Sequence, residues 1–303
     1  MQPVALDEES ISKLLKAGRI AKEAREYATR SAKPGVKIMS LAEMIENYIR
    51  ELGGEPAFPV NIGINSVAAH YTPVYNDESV IPDGSIVKID IGVHIDGYIA
   101  DTATTVFFNP AYEGLVEAAR SALERAIELM KPGVKASEIG EVIEKTIRSA
   151  GYKPVKNLSG HSISRYTIHS GVTIPNYHDV LARHRLNPGV YAVEPFATNG
   201  VGMVKEAKLV TIYALKTRAR EPPPELKRIY QYIYTSRREL PFAVRWYAKS
   251  DVELEQLKKS LDQLKKLGYL HEYPVLVEKA DGLVSQFEHT VVILKNEVIV
   301  ATA

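Results

Sequence analysis

Hydrophobic and polar residues alternate strictly through Ile86-Val-Lys-Ile-Asp-Ile-Gly-Val93, and a second strand-like run extends from Tyr98 to Val106. Alternation with a period of two marks a half-buried strand, and the Asp96-Gly97 pair between the runs predicts a two-residue hairpin turn. With those two residues central in the turn, Ile95 pairs with Tyr98 and Gly92 with Asp101. Asp90 and Asp101 then occupy diagonal positions on one face. The opposite face carries Val87, Ile89, Ile91 and Val93, an apolar stripe that buries against a core. Lys88, Asp90, Gly92 and Asp101 are left to line a cavity. A one-residue change in the turn would turn one of the carboxylates away.

Helical spacing returns at a fixed interval. Lys33-Pro-Gly-Val-Lys37 recurs as Lys131-Pro-Gly-Val-Lys135, and at the same offset of 98 residues Ile45, Glu46, Ile49, Arg50, Gly53 and Pro56 match Ile143, Glu144, Ile147, Arg148, Gly151 and Pro154. Upstream, Ala21, Ala24 and Ala28 match Ala119, Ala122 and Ala126, small residues at helical spacing that let a helix pack closely. This is an internal duplication. Each half reads as helix, Pro-Gly break, helix and strands, which predicts a mixed α/β (α+β) domain of pseudo-twofold symmetry. Its site lies at the centre, where strands from both halves contribute. Ser40 with Glu43 predicts a capping box for the second helix, and Gly53-Gly54 its end.

Residues 216–275 interrupt the second half, so the predicted organisation is a catalytic domain of residues 1–215 plus 276–303 with a helical insert. Pro222-Pro-Pro224 breaks the chain, two amphipathic stretches follow, and Ser250 with Glu253 caps a helix that runs to Gly268. Helices followed by a short strand pair resemble a winged-helix unit. The pairs Arg237-Arg238 and Lys258-Lys259 read as solvated helix faces, because acidic residues are interleaved and no basic-aromatic groove for nucleic acid is visible.

Composition narrows the picture further. The chain has 303 residues, 45% hydrophobic, with a formal net charge of +1, which supports a sizeable core and gives no reason to expect specific nucleic-acid binding. The charged start at Asp7-Glu-Glu9 and the lack of a long apolar run predict a cytoplasmic protein without a membrane span, expected as a monomer. The absence of cysteine excludes disulfides and a thiol nucleophile.

Candidate chemistry follows from the carboxylates. A single aspartate in a strand is ordinarily an edge or solvated residue, but two on one face repel and raise each other's pKa unless a cation or proton lies between them. Asp90, Asp101, His161, Glu194 and Glu288 together offer four carboxylates and one imidazole. Two divalent ions roughly 3.5 to 4 Å apart would balance that charge and could share a bridging hydroxide. Oxygen and imidazole donors suit Mn, Fe, Co or Zn without choosing among them.

The motifs make this specific. Asp90 and Asp101 are separated by ten intervening residues and are followed by Gly160-His161-Ser162, Val193-Glu194-Pro195 and Gln286-Phe-Glu-His-Thr290, with Ala69-His70-Tyr-Thr-Pro73 and Ile168-His169 in addition. In this order the chain resembles a type 2 methionine aminopeptidase of the archaeal kind over essentially its whole length. The resemblance implies the pita-bread metallopeptidase fold and removal of initiator methionine from the N-termini of new proteins and peptides. It implies that Asp101 and Glu288 bridge two metal ions, that Asp90 completes the shell of one, and that His161 and Glu194 complete the other. His70 and His169 would hydrogen-bond the substrate carbonyl and the tetrahedral intermediate. Phe58, Ile168, Phe196 and Tyr273 would wall the methionine pocket, and the insert marks the type 2 branch.

His161 and His169 are eight residues apart, about 26 Å in a straight strand, so they share a site only if the chain doubles back across Ser162 to Arg165. Standing alone, His169 reads equally as an ordinary strand residue. His289 adjoins a ligand but points to the other face of its strand; His94, His178, His184 and His271 are assigned no role. In the mechanism this reading predicts, Glu194 moves a proton from the attacking hydroxide to the leaving amine, and the crowded carbonyl side restricts the second residue to small ones. Met1 is then expected to survive before Gln2. Two rivals stand beside it: a prolidase or X-Pro aminopeptidase, which shares the metal set, and a catalytically silent homologue serving as a nucleic-acid or ribosome adaptor. Ribosome proximity and metal identity stay open on sequence.

Overall fold

The computed structural model describes residues 7–216, 221–248 and 254–303. The first half contains α1 (Glu8–Ser31), α2 (Ile38–Glu51), β1 (Glu55–Pro56), β2 (Asn61–Ile64), β3 (Val67–Ala69) and the hairpin β4 (Ile86–Ile95) and β5 (Tyr98–Phe107). The second contains α3 (Glu113–Glu128), α4 (Ala136–Ser149), β6 (Lys153–Pro154), β7 (Ser159–Ile163), β8 (Thr173–Pro175), β9 (Gly189–Val193) and β10 (Phe196–Thr198). β11 (Val204–Leu215), α5 (Pro224–Arg237), β12 (Phe242–Ala243), α6 (Leu254–Lys266) and β13 (Leu270–Glu278) form the interruption, and β14 (Val284–Gln286), β15 (His289–Ile293) and β16 (Val298–Val300) return to the second half.

The duplication is visible in the backbone. In the first Lys-Pro-Gly-Val-Lys segment Gly35 N–H donates to Ile81 O; in the second, Gly133 N–H donates to Leu186 O. The two following helices end alike: Gly53 and Gly54 donate to Arg50 and Ile49, and Gly151 and Tyr152 donate to Arg148 and Ile147, the paired closure of a Schellman motif. All six matched alanines are fully buried. They let α1 lie close against β4 and β5, and α3 against α4 and the second half's strands. Each half thus buries its own apolar cluster.

One predicted cap is overturned. α2 begins at Ile38 with Lys37 in the cap position, which places Ser40 inside the first turn. A side-chain cap is superfluous there because Ile38 N–H already donates to Ser79 O at 3.0 Å. Ser250 and Glu253, the other predicted cap, lie outside the described residues, as do Met1 and Gln2.

The halves meet between β5 and the strands of the last motif. Ala103 and Glu288 exchange backbone hydrogen bonds, and the hydroxyls of Thr102 and Thr105 donate to Glu288 O and Gln286 O. Thr290 Oγ1 closes the seam by accepting from Asp101 N–H and donating to Asp101 O.

In the insert, β11 and β13 form one ladder from Val204–Glu278 to Leu215–Leu270, and β12 flanks β11. Position 275 therefore falls inside that ladder, and position 216 directly follows β11. α5 and α6 pack over it on an apolar cluster that includes Ile233, Phe242 and Leu261. The predicted solvated face fails at Arg237, which is 6% exposed and bonded to backbone carbonyls. Among the described residues no helix is long and apolar enough to cross a membrane.

Candidate metal centre and active site

The β4–β5 register is the one that alternation predicts: Ile95 faces Tyr98 and Gly92 faces Asp101. Asp96 (φ 51°) and Gly97 (φ 85°) make the tight turn in left-handed conformations. Val87, Ile89, Ile91 and Val93 are fully buried behind the hairpin. On the front face the expectation needs correction at two residues. Lys88 does not line the cavity; it is 2% exposed and donates its Nζ to Asn65 O at 2.8 Å. Gly92 cedes its place to a neighbour, since a Cβ there would lie 2.2 Å from Phe58 Cε1.

The second half delivers the other donors to the same point. His161, in β7, holds its Nε2 3.7 Å from Asp101 Oδ2 and 3.6 Å from Glu194 Oε1. Glu194 sits between β9 and β10, where Pro195 ends the strand, and Glu288 lies between β14 and β15 directly against Ala103. Donor atoms of Asp101, His161 and Glu288 all fall within 4.8 Å of one another. Asp90 Oδ1, Asp101 Oδ1, His161 Nδ1 and Glu288 Oε1 are buried without a hydrogen-bond partner. Unpartnered buried carboxylate oxygens are costly, and this donor set of oxygens and one neutral imidazole is what divalent cations take.

Electrostatics say the same. Burial, opposed in part by hydrogen bonds from Asp101, Gln286 and the Ile91 backbone, raises Asp90 to about 7. Asp101 and Glu288 are pushed well above the usual carboxylate range by burial and then by the neighbouring acids, and Glu194 by burial and then by Asp90. Burial, and then His169, holds His161 down at about 3, so the imidazole is neutral and free to ligate.

These residues form one wall of a cavity of about 400 Å³. Its lining also includes His70, His169, Phe58, Ile168, Phe196 and Tyr273, so every residue given a metal, catalytic or substrate role from sequence borders this one space.

The family model of metallopeptidase family M24 matches residues 12–293. The chain belongs to metallopeptidase family M24. It is a hydrolase of the aminopeptidase kind, and the donor set above is that of a metal-dependent member. A methionine aminopeptidase of Pyrococcus abyssi is 48% identical over 296 residues, covering 96% of this chain and 99% of the relative. Among solved structures, a thermophilic Arx1 superposes with a TM-score of 0.85 at 18% identity, over 98% of this chain and 91% of that one. Methionine aminopeptidase from Thermotoga maritima gives 0.72 at 20% identity, over 99% of each chain. At such identities the superpositions speak for the fold alone, and that fold is the pita-bread fold of the family.

In this M24 peptidase the histidines are brought in by a reversal of chain. Ser164 and Thr167 exchange backbone hydrogen bonds, with Tyr166 at φ 59° between them. The return lies two residues beyond the expected Ser162–Arg165 and places the His169 ring 4.4 Å from that of His161, edge to face. His70 is also held in a left-handed conformation, φ 63°, and its Nδ1 lies 3.2 Å from Pro274 O. A carbonyl only accepts, so Nδ1 carries the hydrogen. Burial lowers both His70 and His169 to about 4, and both are neutral near pH 7. Tyr273, next to Pro274 in β13, sets its ring edge against His70 at 5.4 Å. His289 turns away from the cavity to Arg25 and Thr302.

Two residues of the peptidase's site went unassigned in the sequence. Gln286 Nε2 reaches Glu288 Oε2 at 3.4 Å; lying two residues before Glu288, it could have been found from the period of two. Asn61 is paired with Asp90 across β2–β4 and lines the cavity. Nothing in its short strand signals this.

Proposed function

We propose that this peptidase is a dinuclear methionine aminopeptidase of type 2, which removes the first methionine from proteins and peptides whose second residue is small. The observation that carries the reading is the meeting of four carboxylates, Asp101 and Glu288 buried and Asp90 and Glu194 half-buried, with His161 in the wall of a cavity that Phe58, Ile168, Phe196 and Tyr273 also line. Asp101 and Glu288 would be shared between two divalent ions, with Asp90 on one side and His161 and Glu194 on the other. Bound there, the ions would acidify a water and polarise the first peptide carbonyl.

The chain's own groups do the rest. Phe58, Ile168, Phe196 and Tyr273 offer an apolar slot for an unbranched thioether, which fills irregular space better than a β-branched or charged side chain. Glu194, buried with a raised pKa, takes a proton from the attacking water and passes it to the leaving amine. The Nδ1–H of His70 is committed to Pro274 O, so its Nε2 presents a lone pair. It therefore accepts from the peptide N–H of the second residue, and the developing oxyanion falls to His169, whose expected partnership with His70 in that task is thereby divided. Two rings this close to the scissile bond leave room only for a small second side chain.

This activity suits N-termini of new chains in the cytoplasm, acted on by a monomer. The test is hydrolysis of Met-Ala peptides by purified protein loaded in turn with Mn, Fe, Co and Zn, beside X-Pro peptides. Metal-dependent release of methionine from Met-Ala peptides is expected. Preferential cleavage of X-Pro peptides would make the protein a prolidase.

A further inference from the structure

Two buried arginines of the insert, Arg237 and Arg245, lie behind the pocket wall. Arg237, the last residue of α5, donates NH1 to Pro56 O at 2.9 Å and NH2 to Ala57 O at 2.8 Å and Pro241 O at 2.9 Å. Ala57 immediately precedes Phe58, and both Phe58 and Pro241 border the cavity. One guanidinium therefore spans two separate stretches of pocket wall. On the far side of Phe58, Val60 N–H donates to Glu46 Oε1 at 3.1 Å. Glu46 is in turn gripped from the insert by Arg245, whose NH1 lies 2.7 Å from Oε2, and by Trp246 Nε1 at 2.8 Å. The Trp246 ring lies beneath the Arg237 guanidinium, 4.8 Å from its carbon. The backbone on either side of Phe58 is thus held from the insert, directly at Pro56 and Ala57 and through Glu46 at Val60, in addition to its pairing with β4.

We infer that Arg237, supported by the Arg245–Glu46 pair, is a positioning residue that sets the width of the first-residue pocket by holding the Phe58 and Pro241 walls at a fixed separation. The inference rests on the reading that this cavity receives the first side chain. A planar guanidinium fork serves the three carbonyls from two nitrogens at a fixed separation, whereas the three donors of a lysine radiate from a single nitrogen on a flexible stem. Exposed ion pairs contribute little, but a buried one that loses a partner leaves unpaired groups behind. Without the fork, three carbonyls lose their common donor, the walls part, and Phe58 no longer presents one face to the thioether. The chemistry at Asp101 and Glu288 is built on other strands and is left in place.

Steady-state kinetics on Arg237→Lys and Arg237→Ala test this with Met-Ala, Leu-Ala and Phe-Ala peptides. The expected result is a KM for Met-Ala raised on the order of tenfold with kcat within about twofold, and a preference for Met over Leu and Phe reduced by a similar factor. Discrimination of this size is what one or two methylenes are worth in an apolar pocket. Millimolar guanidinium should restore part of the preference in Arg237→Ala. Unchanged KM and unchanged preference in Arg237→Lys, or loss of kcat alone, would overturn the inference.

A second readout needs no variant to fold. Trp246 is the only tryptophan in the chain, so its emission reports on the clamp directly. Saturating free methionine should shift that emission in the wild-type protein; an unmoved emission under methionine that inhibits turnover would also overturn the inference. A wild-type protein that fails to cleave Met-Ala strikes at the functional reading instead. The clamp is then judged by the same Trp246 response to whichever first-residue amino acid inhibits.

Discussion

Gly92→Ala adds one carbon at the point where hairpin and pocket wall touch. The new Cβ would lie 2.2 Å from Phe58 Cε1, 2.5 Å from Cδ1 and 2.8 Å from Cζ, roughly 1 Å inside ordinary carbon–carbon contact. The wall cannot simply step back. Ala57 N–H donates to Gly92 O at 2.8 Å, which ties the wall to the hairpin, and Arg237 holds the carbonyls of Pro56 and Ala57. Relief must come from the ring, which borders the cavity, or from strain in β4. Overpacking of this kind costs about 1–3 kcal/mol. If the ring takes the strain, the same energy appears in substrate binding, as a KM for Met-Ala peptides raised about 5- to 150-fold. If β4 takes it, the melting temperature falls and Asp90 shifts with the strand. Steady-state hydrolysis and thermal denaturation on the same preparation separate the two. A variant with wild-type KM and wild-type melting temperature would refute the packing argument.

Glu194→Gln should lower kcat by on the order of 10² to 10⁴ with peptide binding largely kept, since it removes a proton shuttle more than a contact; rapid-quench or steady-state kinetics decide. His169→Ala should cost roughly 10² to 10³ in kcat as an oxyanion donor, while His70→Ala should weaken peptides with an amide after methionine far more than methionine amides that lack a second residue. Equal losses for both histidines and both substrates would undo the division of roles. In the metal-free protein Asp90, raised to about 7 from 3.8, holds a proton that the unfolded chain has lost between those values. That group therefore destabilises the empty fold progressively as pH rises through the window, whereas His161, lowered to about 3 from 6.5, is neutral in the fold across most of it and adds stability as pH rises. Cations bind the ionised carboxylates, so metal affinity should fall about tenfold per pH unit for each proton displaced below pH 7; a stabilisation by Mn or Co that stays flat from pH 8 to 5 would contradict this.

Much of the site is legible from sequence because its parts are local. The Asp90–Asp101 face follows from one alternating run and one Asp-Gly turn, and the two-half architecture from a repeated five-residue segment and the helix-ending glycines. What is not legible depends on partners distant in the chain. Arg237 beside Arg238 looks like a solvated pair, yet its charge is buried against carbonyls at positions 56, 57 and 241. Ser40 is a good local cap, and a backbone carbonyl from Ser79 makes it unnecessary. Lys88 shares a face with Asp90, but the Asn65 carbonyl draws it away from the cavity. For His70, the contact of Nδ1 with the Pro274 carbonyl comes from more than two hundred residues away in the chain.

Metal content per chain, measured by elemental analysis together with Met-Ala cleavage on the same samples of wild type, Asp101→Ala and Glu288→Ala, bears most directly on the dinuclear aminopeptidase. The wild type should approach two divalent ions per chain and release methionine, and each variant should lose metal and nearly all turnover, because each removes a shared carboxylate and leaves the remaining acids without a common cation. Either variant retaining two ions and near-normal turnover, or a wild type that releases methionine after its metal is stripped, would contradict the assignment.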